Sequence, residues 1–248
     1  MRRPDLTTPT HKTAAERGLT TPRAAGVAGI VFALLFFVAL ALLGEVVGVG
    51  LDTETVMDNL NNSNSTLGLI GLYLVPFAGI AFLWFIAVVR DRIGVHEDRF
   101  FATAFLGSGL LFVAMLFAAA AVLAGLIAGN SFGTAAPTDI ATVGFARSVG
   151  YSFLFIYSAK SAGIFILAMS TIVRRSGWPR WASISGYIVA AVLVLSVSFF
   201  EPIVMLLPAW VTAISVYVLV TGGRRPAETR SSTHRENSNT GERQDDKQ

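Results

Sequence analysis

Lys160 stands near the middle of an apolar run, Gly150–Val173, where its neighbours read Phe155-Ile156-Tyr157-Ser158-Ala159-Lys160-Ser161-Ala162-Gly163-Ile164. No other apolar run of the chain holds a charge near its centre. An ammonium at membrane depth costs ~2.5–3.5 kcal/mol on insertion scales, so it normally faces a bundle interior and a partner. Two chemistries would use such a group. It can bind an anionic ligand, or act as a protonation switch, because a desolvated lysine shifts its pKa readily. Two structural uses are commoner: a salt bridge, or a lone lysine that snorkels to the headgroups.

The carboxylates nearest in kind are Glu45 and Glu201, each at the end of another apolar run. Lys160 is the eleventh residue of its 24-residue run, about 15 Å along a helix at 1.5 Å per residue. Helical side chains tilt toward their own N-terminus. With both chain termini on the cytoplasmic side, Lys160 leans outward while Glu45 and Glu201 lean inward, toward a common depth. The expected site is therefore Lys160, Glu45 and Glu201, with Tyr157, Ser158, Ser161 and Arg147 as supporting polar groups.

Other chemistries lack their residues. The chain has no cysteine, so it has no disulfide, thiolate metal site or thiol nucleophile. His11, His96 and His234 lie outside the apolar runs, which leaves no histidine pair for a haem between helices. The sequence contains no GxSxG, HExxH, Walker or GxGxxG pattern. The expectation is a protein that is not an enzyme and has no catalytic residue, cofactor or metal.

The elements that would carry the site are membrane spans. Hydrophobic residues make up 53% of the chain and charged ones only 14%, where soluble domains carry about 25%. The expected fold is all-α, an integral bundle of six transmembrane helices at about 24–49, 66–89, 100–128, 150–173, 182–200 and 203–222. Each run approaches the ~20 residues that cross ~30 Å of hydrocarbon. The polar stretches 1–23 and 223–248 are expected to be disordered cytoplasmic tails.

Charge sidedness sets the orientation. With both termini inside, 17 of the 19 Lys and Arg residues fall on the cytoplasmic side, leaving Arg147 outside and Lys160 within a span. The acidic residues Glu45, Asp52, Glu54, Asp58, Asp139 and Glu201 collect outside, as the positive-inside rule allows. This sorting also explains the net charge of +3 without a nucleic-acid partner.

The connections carry their own expectations. Gly50–Ser65 reads as an exposed acidic loop with one amphipathic turn, and Glu201-Pro202 as a tight outer turn. From Pro137-Thr138-Asp139 onward the chain can be helical and run into the fourth span. Arg90–Arg99 is a charged cytoplasmic connector, either a docking patch or, more commonly, a solvated loop. Gly44/Gly48 and Gly125/Gly129, with Ala118–Ala121, have the spacing for close helix packing within the bundle, with a homo-oligomer contact as the lesser alternative. Pro76 and Pro208 are expected to kink or break their helices.

In its Ala, Gly, Val and Leu content and its polar tails, the chain resembles polytopic bacterial membrane proteins, which implies the cell membrane as its place. Two function classes remain. One is a small transporter or channel-like protein built around the buried charges, with an unspecified small molecule or ion as ligand. The other is a non-catalytic scaffold or accessory subunit whose loops and tails meet a membrane-protein partner.

Overall fold

The computed structural model describes residues 22–62, 65–93, 99–129, 139–175, 179–196 and 201–221. The two expected tails, apart from Pro22 and Arg23, lie outside the described residues, as do residues 94–98 of the charged connector. Every described element is helical: α1 (Pro22–Val47), α2 (Thr53–Asn61), α3 (Ser65–Ile93), α4 (Arg99–Ile127), α5 (Ile140–Tyr151), a π-helical segment (Ser152–Ser158), α6 (Ala159–Arg175), α7 (Arg180–Leu195), α8 (Glu201–Val204) and α9 (Leu206–Thr221).

Among the described residues, four stretches are long and apolar enough to cross a membrane: Gly26–Val47, Ser65–Arg90, Phe100–Ile127 and the composite Ile140–Arg175. The apolar helices α7 and α9 are shorter, with 16 residues each. α7 ends at Leu195, five residues before the expected end of the fifth span. Glu201-Pro202 is not a bare turn but opens the helical turn α8, where proline suits an early helical position. One residue, Met205, separates α8 from α9. Pro208 has no N–H to give the carbonyl four residues back, that of Val204, and this accounts for the interruption. Pro76, by contrast, lies inside the continuous helix α3.

The segment after α1 is more ordered than an exposed loop. Asp52 caps the N-terminus of α2 by accepting from Thr55 N at 2.6 Å, and α2 buries Val56 and Leu60. Asp139 likewise caps α5 through Thr142 N, so the helix expected from that point does run on into α6. The π segment interrupts this composite helix. Ser148 and Ser152 return their hydroxyls to Gly144 O and Ser148 O, each at 2.8 Å, in the turns that lead into it. Such back-bonding loosens the α ladder.

The helices close a ring in the order α1, α3, α4, α6, α7, α9 and back to α1. Its centre is filled with phenylalanine. Phe82 meets Phe32, Phe112 and Phe165 at ring-centroid distances of 4.7, 4.9 and 5.0 Å. Phe36 and Phe105 extend the stack at either end. Close approach of neighbouring helices relies on single glycines facing serines, Gly29 on Ser215 and Gly186 on Ser170. The expected glycine pairs are used differently: a side chain at Gly44 or Gly125 would meet open space.

Candidate functional site

The composite helix Ile140–Arg175 carries Arg147 and Lys160 within its length, and both are used on backbone. Lys160 is half-buried, and its Nζ donates to Leu193 O at 3.2 Å and to Ser196 O. These carbonyls belong to the last turn of α7 and the residue that caps it, where the next turn's N–H groups are missing; Leu193 O also accepts from Ser196 Oγ at 3.4 Å. The positive charge also sits at the negative end of the α7 dipole. α6 and α7 are antiparallel here, with Gly163 packed against Ala190 and Leu193. One turn earlier, Lys160 leans toward its own N-terminus and lands on the end of α7.

Magnitudes show that this suffices without a carboxylate. A hydrogen bond from a charged group contributes about 1.5–3 kcal/mol, and two of them match the ~2.5–3.5 kcal/mol insertion cost of a lysine. Among the described residues, Lys160 makes no ion pair, so the expected pairing with Glu45 is not formed. Glu201 contributes its backbone to α8, which packs on the π segment beside Lys160; its side chain lies outside what is described.

The supporting groups divide in the same way. Ser161 Oγ donates to Tyr157 O at 2.8 Å. Tyr157 is 55% exposed and its ring packs on Phe153. Ser158 is fully buried, and its hydroxyl has no hydrogen-bond partner among the described residues. None of the three meets the Lys160 ammonium.

Arg147 repeats the lysine's role one neighbour away. It is 8% exposed, and its Nη2 donates to Gly48 O at 2.7 Å and Leu51 O at 2.9 Å, just past the end of α1. Its guanidinium lies 5.9 Å from the Tyr151 ring centroid. Asn59 of α2 adds donors to Glu45 O and Val46 O. Three side chains from outside thus secure the ends of α1 and α7. Hydrogen bonds from Thr55 hold the Asp52 carboxyl below its ordinary 3.8, and the charge of Arg147 adds a smaller push the same way.

A cleft of about 310 Å³ opens beside this end of α1. Gly44, Glu45 and Gly48 line one side, and Leu123, Tyr151, Phe155 and Met205 face them. The missing side chain at Gly44 leaves the space that the cleft occupies. Glu45 is exposed, and its carboxylate has no ion-pair or hydrogen-bond partner among the described residues. A much smaller apolar gap continues beneath, between Leu40, Leu43, Leu123 and Leu154, and reaches Phe36 at the head of the aromatic stack.

The expected single site therefore resolves into two places. Lys160 belongs to a helix cap, while Glu45 borders a cleft near Arg147. The aromatic wall of Tyr151 and Phe155 carried no distinguishing signal in an apolar run. The Gly44/Gly48 pair was visible, but Gly44 faces the void and Gly48 turns against the Gly44 backbone. No group of metal-ligating side chains occurs among the described residues. Comparison with protein-family models, curated proteins and solved structures finds no match to this chain.

Proposed function

We propose that the chain is a six-span protein of the cell membrane, with both termini cytoplasmic, that works as a small transporter admitting its ligand from the outer side. The closed ring of six apolar helices supports the span count, and the sidedness of 17 of 19 basic residues supports the orientation. The shortness of α7 fits the same picture. Its 16 residues extend about 24 Å, less than the ~30 Å of hydrocarbon. Its last carbonyls then end inside the membrane, where every backbone group needs an internal partner. Lys160 is that partner.

The observation that carries the transport reading is the cleft beside Glu45, which stops on the phenylalanine stack. A site open to one side above a packed centre suits a carrier that changes conformation, more than a continuous channel. A second reading, a non-catalytic accessory subunit, is favoured by Lys160 and Arg147 both serving backbone carbonyls.

The absence of cysteine makes single-cysteine labelling clean. In intact cells, a membrane-impermeant maleimide should label Asp58→Cys and Gly44→Cys, and should label Ser232→Cys only after permeabilisation. Labelling of Ser232→Cys in intact cells would overturn the orientation. Gly44→Cys that stays unlabelled beside a labelled Asp58→Cys would overturn the outward cleft and leave the accessory-subunit reading.

A further inference from the structure

We infer that the Glu45 cleft takes a small hydrophobic monocation. This rests on the reading of the cleft as a binding site, and it assigns the ligand's charge and character. At about 310 Å³ the cleft stands at the lower end of ligand-sized sites. Its walls are aliphatic and aromatic, and among the described residues that line it the one carboxylate is that of Glu45. An apolar body fills such walls while a single positive charge answers the carboxylate. Phe155 adds an aromatic wall, and a ring face attracts a cation.

The nearby cation does not reverse this preference. Arg147 is not among the lining residues. Its guanidinium is buried behind the end of α1, bound to Gly48 O and Leu51 O and over the Tyr151 ring. Its charge is further offset by Asp52, whose titration it influences. Glu54 and Asp58 on α2, which packs against α5, and Asp139 at the start of α5 add negative charge at the same end. Clefts bordered by one sign of charge concentrate the opposite ion. A hydrophobic anion would meet Glu45 unpaired in a low-dielectric wall, and an inorganic cation would leave those apolar walls without an occupant.

Tetraphenylphosphonium and tetraphenylborate have one shape and opposite charges, so they separate charge from hydrophobicity. Binding is measured by isothermal titration to the full chain in phosphatidylcholine nanodiscs, as the saturable heat beyond that of each ion partitioning into empty nanodiscs. The expected result is that tetraphenylphosphonium binds and tetraphenylborate does not. Glu45→Gln should weaken the cation at least tenfold. Gly44→Leu, which fills the cleft from a position with open space around it, should remove binding. Unchanged elution and thermal midpoint serve as the folding control for both variants. If both ions bind alike and both are lost in Gly44→Leu, the cleft is a binding site but its cation preference is overturned. If neither ion binds, or tetraphenylphosphonium binding ignores both substitutions, the inference fails outright, and the Gly44→Cys labelling result decides separately whether the cleft opens outward.

Discussion

The Lys160 ammonium and the Leu193 carbonyl oxygen lie 3.2 Å apart, joining the middle of one helix to the end of the next. The lysine answers a backbone need: α7 ends at Leu195, its terminal carbonyls lack the next turn's N–H groups, and a long cationic side chain from α6 reaches them. Arg147 does the same for the residues that follow α1.

Lys160→Met should therefore act on stability before it acts on binding. It takes the ammonium from Ser196 O and leaves Leu193 O with the long bond from Ser196 Oγ at 3.4 Å, at about 1–3 kcal/mol for a buried group left unsatisfied. The thermal midpoint in detergent should fall, and Lys160→Arg should recover part of the loss. Ligand binding at Glu45 by the surviving folded protein should be unchanged. Lost binding with an unshifted midpoint would place Lys160 in the ligand site.

The π segment should be the reason Lys160 points at α7. A π turn absorbs about one extra residue, and one residue of an α-helix is roughly 100° of rotation. Deleting Phe153 from Ser152–Ser158 should restore an α ladder and swing Lys160 off its carbonyls. The deletion and Lys160→Met should then be non-additive, because both remove the same contact. A double-mutant cycle on thermal stability reads this directly, and full additivity would separate the π turn from the lysine.

Much of the helical layout was legible because long apolar runs announce themselves by composition alone. The capped start of α5 was legible too, since Pro137-Thr138-Asp139 carries a local signal for it. The lysine's partner was not. Sequence reasoning pairs charge with charge and named Glu45 and Glu201; the side chain of Glu201 lies outside what is described, and the acceptors among the described residues are backbone oxygens, which every residue possesses and no residue type reveals. The end of α7 was equally hidden, because the apolar run continues past the point where the helix stops. The cleft depends on which faces of α1, α4 and the π segment come together, and that is decided by packing between distant residues such as Gly44 and Phe155.

The α2 cap should be sensitive to acid. Asp52 has a folded pKa below 3.8, so its stabilisation is present above the unfolded value and is lost as pH falls through the lower folded one. Hydrogen exchange at the Thr55 amide should therefore speed up only in strong acid, after correction for intrinsic rates. Asp52→Asn should remove most of that pH dependence. Arg147→Gln should move the transition upward slightly, because the arginine's charge helps keep the carboxylate ionised.

The contact of Gly186 with Ser170 should be limited by a hydroxyl. A methyl group at position 186 would overlap Ser170 Oγ and press on Trp210 at 3.0 Å. Overpacking of this kind costs about 1–3 kcal/mol, so Gly186→Ala should lower the thermal midpoint. Ser170 is fully buried, and its Oγ has no hydrogen-bond partner among the described residues. Removing that oxygen sacrifices no hydrogen bond among the described residues, so Ser170→Ala alone should be near neutral or slightly stabilising. In the Gly186→Ala background the same change should recover part of the loss, with the contacts to Trp210 and to the Cβ of residue 170 setting the remainder. If Ser170→Ala destabilises the wild type strongly and fails to rescue the variant, the serine is there for a hydrogen bond and not merely tolerated where α6 and α7 approach.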